Sequence, residues 1–317
     1  MSYALSPEEA ALVRLGSALK EAGYSYVTVT PETHRRVSGR PENAEARDLR
    51  DVFGWSRPFH PSVLPRGMLD LMAEAGVLST NGALHSSAVR FSSLGQDLLV
   101  HSAFPTLGAD TVFFGPDTYR FVRLLQAELS GRPVPWRCAD IGCGSGAGGI
   151  ALARLAGRED EPAVTHIDVN REALRYARIN ASLAGLSRAE FVESDILATV
   201  PGAFDLIVSN PPYLADPAHR TYRDGGGSLG LDLSLRIVSE SAPRLAPGER
   251  LILYTGVAII EGRDPFEAAV RDRLAGSDVH WTYREIDPDV FGEELGTPAY
   301  HNADRIAAVS LVVRSTA

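Results

Sequence analysis

The chain has 317 residues, of which 44% are hydrophobic and 22% charged, so it has the composition of a globular protein long enough for two domains. No stretch is apolar and long enough to span a bilayer, so we expect no membrane partner. The formal net charge of -9 disfavours broad contact with nucleic-acid phosphates without excluding a local basic patch. Cys138 and Cys143 are too few for a disulfide framework or a zinc site, and the N-terminus lacks a secretory pattern, so we expect no metal and a cytoplasmic location.

Residues 1–108 are predicted to form a small N-terminal domain of helices followed by β structure. The segment 28–51 is polar and rich in arginine, and Asn81-Gly82 indicates a hairpin turn. The predicted elements are helices over 7–22 and 65–75 and β segments over 88–93 and 96–102. A helix followed by a two-stranded ribbon resembles a winged-helix module. A helical cap braced by a hairpin is the alternative, which we favour.

Residues 109–317 are predicted to form a second domain in which strands and helices alternate after a helix over 118–129. The predicted strands cover 136–141, 164–167, 189–192, 204–208, 251–254, 279–286 and 306–313. The predicted helices between them cover 149–155, 172–184, 235–245 and 266–274. Because helices separate the first five strands and none separates the last two, we expect an α/β fold with a doubly wound, mostly parallel seven-stranded sheet that ends in an antiparallel hairpin.

A glycine-rich turn follows the first strand of this sheet and opens a helix. Asp140 ends the strand, and Gly142, Gly144 and Gly146 let the backbone turn sharply beneath a ligand. The turn alone does not identify the ligand, because its glycines also fit a dinucleotide fingerprint and an NAD-dependent oxidoreductase. Asp140 favours S-adenosylmethionine, since its negative charge would repel a pyrophosphate and suits an ammonium group.

Two further acids follow the next strands. Asp168 comes after the second strand, where it can accept hydrogen bonds from ribose hydroxyls, and Asp195 comes after the third, where it can accept one from an adenine amino group. Either acid has a structural alternative, as a helix cap or a turn residue. Three acids after successive strands favour a binding site, because parallel sheets bind ligands at the carboxyl ends of their strands.

The fourth strand runs into Asn210-Pro211-Pro212-Tyr213. The two prolines make a rigid turn, and the first restricts Asn210 to an extended backbone. A nitrogen conjugated to a carbonyl or a ring is a poor nucleophile. The Asn210 side-chain oxygen and the Pro211 carbonyl could accept its hydrogens and aim its lone pair at a methyl donor, while Tyr213 could stack on the planar group. The motif therefore predicts methyl transfer to a planar nitrogen.

At these residues the chain resembles the class I S-adenosylmethionine-dependent methyltransferases that act on amino or amide nitrogens. That group includes the glutamine methyltransferase of release factors and enzymes that methylate amino groups of DNA and ribosomal RNA. The resemblance spans roughly 112–252 and implies a Rossmann-like methyltransferase fold. It implies that the cofactor is bound by Phe114, Asp140, Gly142, Gly144, Gly146, Asp168, Asp195 and Asn210, that Asn210, Pro211 and Tyr213 are catalytic, and that Pro212 and Tyr213 contact the acceptor.

The acceptor stays open at this stage. The loop from Tyr222 to Gly227 resembles that of the release-factor enzyme, so Arg223 and Asp224 are candidate substrate ligands, with a loop ion pair as the alternative. A protein glutamine is the first acceptor considered; an amino group of nucleic acid and a small-molecule amine or guanidine are the others. No general base is assigned, since His85, His101 and His219 are expected at the surface or in loops.

Overall fold

The computed structural model describes residues 4–157 and 160–316. Its N-terminal part contains four helices, namely α1 (Pro7–Glu21), α2 (Pro31–Ser38), α3 (Leu49–Phe53) and α4 (Arg66–Glu74). Two antiparallel hairpins follow, made of β1 (Leu78–Asn81) with β2 (Leu84–Ser87) and of β3 (Val89–Leu94) with β4 (Asp97–Ser102). The hairpin expected at Asn81-Gly82 is confirmed, because Asn81 pairs with Leu84 and Gly82 has a φ of 62°. The polar segment 28–51 contains α2, a short 3-10 helix and the start of α3.

Helix α1 shows why this part folds as it does. Ser6 caps it by accepting a hydrogen bond from the Glu9 backbone, while the Glu9 carboxylate accepts one from the Ser6 backbone. Leu12, Leu15 and Leu19 recur at helical spacing and are fully buried. The hydrophobic core they join also contains residues of the second part of the chain.

The second part of the chain begins with α5 (Pro116–Glu128) and continues as a strand–helix alternation. Its elements are β5 (Arg137–Ile141), α6 (Ala147–Ala156), β6 (Ala163–Asp168), α7 (Arg171–Leu183), β7 (Ala189–Glu193), β8 (Phe204–Ser209), α8 (Asp232–Ser241), β9 (Leu245–Ile259), α9 (Pro265–Leu274), β10 (Val279–Asp287) and β11 (Arg305–Ser315). The helix expected over 235–245 ends earlier, and β9 is longer than the predicted strand over 251–254 because its pairing with β11 extends to Ile259.

The sheet has the order β7-β6-β5-β8-β9-β11-β10. Strands β5 to β9 are parallel, and β11 is antiparallel to both β9 and β10, so the predicted doubly wound sheet and its final hairpin are confirmed. The chain passes from β5 outward to β7 and then returns to place β8 on the other side of β5. The carboxyl ends of β5 and β8 therefore meet at the point where the strand order reverses, which is where such sheets bind ligands.

Strand β4 joins the two parts of the chain. Asn180 of α7 donates a hydrogen bond to the Val100 carbonyl (2.9 Å) and accepts one from the Val100 N–H (2.7 Å). All six residues of β4 are buried as a result of this packing and of the pairing with β3. The expectation for His101 is wrong for this reason: its ring is fully buried, bonded to the Ser92 hydroxyl and stacked on Phe114.

No helix in the described part of the chain combines the length and the apolar character that crossing a membrane requires.

Candidate active site

Two adjoining cavities lie at the carboxyl ends of β5, β6 and β8. The larger has a volume of about 460 Å³ and the smaller about 60 Å³. The smaller is lined by the glycine-rich turn and Asp140, and the larger extends past Asp168 and Asp195 to the N-terminal part. Five residues line both, namely Phe113, Thr118, Gly142, Gly144 and Asn210. Most of the predicted site residues thus converge on one continuous region, whereas Phe114, Gly146 and Asp224 line neither cavity.

The glycine-rich turn has the backbone that its sequence predicts. Gly142, Gly144 and Gly146 have φ values of 65°, 52° and 80°, in the left-handed region where a Cβ is unfavourable. The N–H groups of Gly142 and Cys143 both donate to the Ile167 carbonyl, which ties the turn to the end of β6. The turn therefore presents bare backbone to the cavities.

Asp140 lies beneath this turn and is only 1% exposed. Its Oδ2 accepts a hydrogen bond from the Gly149 N–H at 2.8 Å and lies 3.6 Å from Nδ1 of His166. Its Oδ1 lies beside Gly148, where a Cβ would be 2.7 Å away. A carboxylate held in this way places negative charge at the edge of the smaller cavity, which suits a cationic group.

Asp168 is held by the turn that it faces. Its Oδ2 accepts a hydrogen bond from the Gly144 N–H (3.0 Å), and its Oδ1 accepts one from the Asn170 N–H (2.9 Å). Burial raises the pKa of the Asp168 carboxyl, and the two backbone donors oppose this effect. It lines the larger cavity, and the remaining lone pairs of its two oxygens could accept hydrogen bonds from ribose hydroxyls.

Asp195 occupies a more open position. Its side chain is 56% exposed and forms an ion pair with Arg236 of α8 at 2.9 Å. It lines the larger cavity together with Ser194 and Ile196. The structure therefore places all three predicted acids at the site but gives Asp195 a competing partner that the sequence did not indicate.

Asn210 follows β8 directly and lines both cavities. Within the described ranges, no residue forms a hydrogen bond with its side-chain amide. Ser209, the residue before it, is fully buried and donates to the Ile141 carbonyl at 2.8 Å, which ties the end of β8 to the end of β5. The amide is thus held in place by the backbone, with its polar atoms available to a ligand.

Tyr213 lies deeper than the other residues of its motif. It is 7% exposed, and its ring makes edge-on contacts with Tyr254 (6.4 Å between centroids) and Phe291 (5.9 Å). Burial raises the pKa of its hydroxyl well above the ordinary value for tyrosine. Gly256 of β9 faces the ring, and a Cβ there would overlap it. Tyr213 lines the larger cavity while being packed on several sides by the protein itself.

In the segment before α5, the residue that lines the cavities is Phe113 and not the predicted Phe114. Phe114 is fully buried between His101 and Tyr119 and is absent from the lining of either cavity. Phe113 lines both cavities instead and is stacked on Tyr222 with 6.1 Å between ring centroids. The resemblance indicated the right segment but named Phe114, whereas Phe113 is the ring that lines the cavities. The sequence could not indicate which of the two adjacent rings does so.

Arg223 and Asp224 lie in the loop between β8 and α8 (residues 210–231), and the side chains of both have partners within the protein. Arg223 lines the larger cavity and forms an ion pair with Glu294 at 2.5 Å. Asp224 accepts hydrogen bonds from the Gly226 N–H (3.0 Å) and from His219, and it is not among the residues that line the cavity. These contacts brace the loop.

Part of the lining of the larger cavity comes from distant parts of the sequence. Tyr222 donates a hydrogen bond to the Thr106 carbonyl at 2.7 Å, joining the β8–α8 loop to the segment after β4. Pro31 and Arg35 of α2 and Leu107, which is 72% exposed, complete the lining at the mouth. Apart from Tyr222, which begins the loop that resembles that of the release-factor enzyme, none of these residues carries a local sequence signal for the site.

Asp117 is a further lining residue and lies three positions after Phe114, in the same segment before the sheet. It is buried at the start of α5 and accepts hydrogen bonds from the Tyr254 hydroxyl (2.7 Å) and from Arg120 (3.2 Å). The Tyr254 hydroxyl of β9 thus anchors an acid from another element. In the part of the chain that the structure describes, no group of three or more histidine, cysteine or acidic side chains is arranged to hold a metal.

Comparisons with known proteins agree with this geometry. A family model described as "Methyltransferase small domain" matches residues 118–253. Release factor glutamine methyltransferases are similar to the chain: that of Deinococcus radiodurans is 37% identical over 189 residues, covering 56% of this chain and 63% of the relative. That of Koribacter versatilis is 33% identical over 211 residues (62% and 67%), and that of Cereibacter sphaeroides is 32% identical over 241 residues (70% and 82%). The chain thus spans a little less than two thirds of the Deinococcus relative's length.

Proposed function

The chain belongs to the release factor glutamine methyltransferase family, and from this premise we propose that it transfers a methyl group from S-adenosylmethionine to the side-chain nitrogen of a glutamine in a protein. The observation that carries the proposal is the position of Asn210. It stands where the smaller and larger cavities meet, and no described residue satisfies its amide. A methyl donor in one cavity and an acceptor in the other would meet at this residue.

The residues of the smaller cavity fit the methionine end of S-adenosylmethionine. Asp140 suits the ammonium group, and the backbone of Gly142 and Gly144 leaves the space that a Cβ would otherwise fill. Asp168 suits the ribose, and Asp195 with Ile196 suits the adenine. When bound, the cofactor supplies a methyl group on a cationic sulfur.

Asn210 and Pro211 would prepare the acceptor. The two N–H groups of a glutamine amide donate to the Asn210 Oδ1 and to the Pro211 carbonyl, which fixes the nitrogen and turns its lone pair out of conjugation with the carbonyl. Methyl transfer would then break the C–S bond of the donor and form an N–C bond, and the proton of the nitrogen would pass to solvent. Because the departing sulfur becomes a neutral thioether, the reaction needs no strong base to drive it.

The roles of the surrounding residues follow from where they lie. Tyr213 supports the Asn-Pro-Pro turn through its packing on Tyr254 and Phe291. Phe113 and Tyr222, together with Pro212, present the surfaces against which the planar amide can lie. Arg223 and Asp224 act on the acceptor indirectly, by holding the β8–α8 loop in shape.

The relatives support a protein acceptor ahead of the other substrates that the sequence leaves open. All three relatives named above are release factor enzymes, whereas no comparable observation favours a nucleic-acid amino group or a small-molecule amine. An NAD-dependent oxidoreductase is not favoured either, because a buried carboxylate under the glycine turn opposes a pyrophosphate.

The test is transfer of a labelled methyl group from S-adenosylmethionine to a purified bacterial release factor, followed by mass spectrometry of its peptides. We expect one methyl group on a glutamine side chain. Asn210→Ala should lower kcat/KM by about 100-fold or more, the cost of removing one such hydrogen-bonding group, with little change in affinity for S-adenosylhomocysteine. Asn302→Ala, an exposed asparagine outside the site, is the matched control and should behave as the wild type. Label found in RNA, in a small molecule or on another residue type would contradict the proposal.

A further inference from the structure

His166 is a buried histidine that the proposed reaction does not use. It lies in β6, its side chain is completely buried, and neither ring nitrogen has a hydrogen-bond partner in the described part of the chain. Buried polar atoms are nearly always hydrogen-bonded, because leaving water without a new partner is unfavourable. An imidazole in this position therefore needs a physical reason.

The sheet places His166 in a row with two other side chains. Asp140 of β5 and Phe191 of β7 are its paired neighbours in the parallel register, so the three side chains lie side by side on one face. The His166 ring stacks on Phe191, with 5.2 Å between centroids and 8° between planes. On the other side its Nδ1 lies 3.6 Å from Oδ2 of Asp140. Phe191 offers the ring a flat apolar surface, and Asp140 offers it the nearest acceptor.

The helix above this row leaves room for the imidazole. A Cβ at Gly149 would lie 2.8 Å from His166 Nε2, so the bare backbone of Gly149 is needed for the ring to fit. The same Gly149 donates its N–H to Asp140 Oδ2. One glycine thus admits the histidine and binds the carboxylate that the histidine faces.

We propose that His166 is a positioning residue for the cofactor site, which acts by holding the Asp140 carboxylate. The Gly149 N–H donates to Oδ2, and Nδ1 of His166 lies 3.6 Å from the same oxygen, where a proton on Nδ1 would attract it; Oδ1 lies beside Gly148, which lines the smaller cavity. A carboxylate fixed at one oxygen presents the other in a defined direction, which lowers the entropic cost of binding an ammonium group. The inference rests on the proposed function, because it takes Asp140 to be the ligand of that ammonium.

The alternative is that His166 only fills space in the sheet, and three substitutions separate the two roles. His166→Leu keeps an apolar side chain of similar size and removes the donor. His166→Asn can place an amide N–H near the position of Nδ1. Phe191→Leu removes the ring stacked on His166 and loosens the same face of the sheet, but it keeps both the imidazole and the Asp140 carboxylate.

The experiment is calorimetric titration of each purified full-length variant with S-adenosylhomocysteine, with thermal unfolding measured in parallel. We expect His166→Leu to weaken binding by about fivefold or more, the size of effect seen between side chains in contact, and His166→Asn to restore most of the affinity. In the Asp140→Asn background, His166→Leu should cause no further loss. Phe191→Leu should lower the Tm and leave the affinity within about twofold of the wild type.

Three results would overturn the inference: wild-type affinity in a folded His166→Leu variant, an additive loss in the double variant, or an equal loss in Phe191→Leu. Failure of the proposed function would look different: a wild-type protein that does not bind S-adenosylhomocysteine would remove the cofactor site, whereas label on another kind of acceptor would leave the results with these variants unchanged.

Discussion

The ring of Tyr213 packs directly against Gly256 of β9, so closely that a Cβ at Gly256 would overlap the ring. This contact joins the fifth strand of the sheet to the turn that carries Asn210. Strand β9 therefore supports this turn from one side, while its neighbour β8 runs directly into Asn210.

Gly256→Ala tests this support. The added methyl group must displace the Tyr213 ring, so we expect a loss of stability of about 1–3 kcal/mol, the usual cost of overpacking, and a fall in kcat. Affinity for S-adenosylhomocysteine should change little, because the glycine-rich turn of the cofactor site follows β5 and not β9. Gly67→Ala is the matched control: a Cβ there meets nothing within 4 Å, so activity should be unchanged. Full activity in Gly256→Ala would mean that Tyr213 does not position the turn that carries Asn210.

The parts of the fold and site that follow from local patterns were predictable. The seven strands, the glycine turn and the acids Asp140 and Asp168 lie where the sequence places them, because strand ends in a parallel sheet share one edge. The limits of β9 were less predictable, since the length of a strand depends on the partner with which it pairs.

The remaining site residues could not be predicted because their positions depend on tertiary packing. Pro31 and Tyr222 reach the cavity only through the docking of the N-terminal part and the β8–α8 loop. His101 was expected at the surface, but β4 is covered on both faces, so the polar residues in it do not mark exposure. Phe113 rather than Phe114 lines the cavities because the Phe114 ring is stacked on His101.

Tyr222 should control acceptor binding more than cofactor binding. Its ring stacks on Phe113, its hydroxyl donates to the Thr106 carbonyl, and it lines the larger cavity, as Asn210 does. Tyr222→Ala should raise the KM for the protein acceptor by about tenfold, as expected when an aromatic contact residue is truncated, and leave the KM for S-adenosylmethionine within about twofold. Tyr222→Phe should have a smaller effect, since it loses only the hydroxyl. Steady-state kinetics with both substrates varied would measure this split, and an equal rise in both KM values would contradict it.

The two acids on the adenosine side should contribute unequally to cofactor binding. Asp168 is partly buried and held by two backbone N–H groups, whereas Asp195 is exposed and paired with Arg236. We expect Asp168→Asn to weaken S-adenosylhomocysteine binding by about tenfold and Asp195→Asn by about twofold, because exposed polar contacts are weakened by solvent. Arg236→Ala should leave affinity unchanged or improve it, since it releases the Asp195 carboxylate. Calorimetric titration with S-adenosylhomocysteine measures both losses of affinity. A larger loss in Asp195→Asn than in Asp168→Asn would contradict the prediction.

The stability of the N-terminal part should fall in mild acid because of His34. Burial, reinforced by the nearby Arg90, lowers the pKa of His34 to about 4 from 6.5. Between these values the unfolded chain binds a proton that the folded chain does not, so the free energy of unfolding decreases as the pH falls from 6.5 toward 4. We expect His34 to lower the free energy of unfolding by at most about 1 kcal/mol per pH unit. This is less than the change expected for uptake of one whole proton, because solvent screens the charge. His101, whose pKa burial also lowers, acts in the same direction.

His34→Phe separates this contribution from the others. The phenyl ring can keep the stacking on Phe104, which lies 4.1 Å away between centroids, but it cannot titrate and loses the hydrogen bond to the Trp55 carbonyl. We therefore expect lower stability at pH 8 and a shallower decline between pH 6.5 and 4, measured by urea unfolding at a series of pH values. His280→Gln, at an exposed position of β10, should decline as steeply as the wild type. A decline in His34→Phe as steep as in the wild type would show that the proton is bound elsewhere.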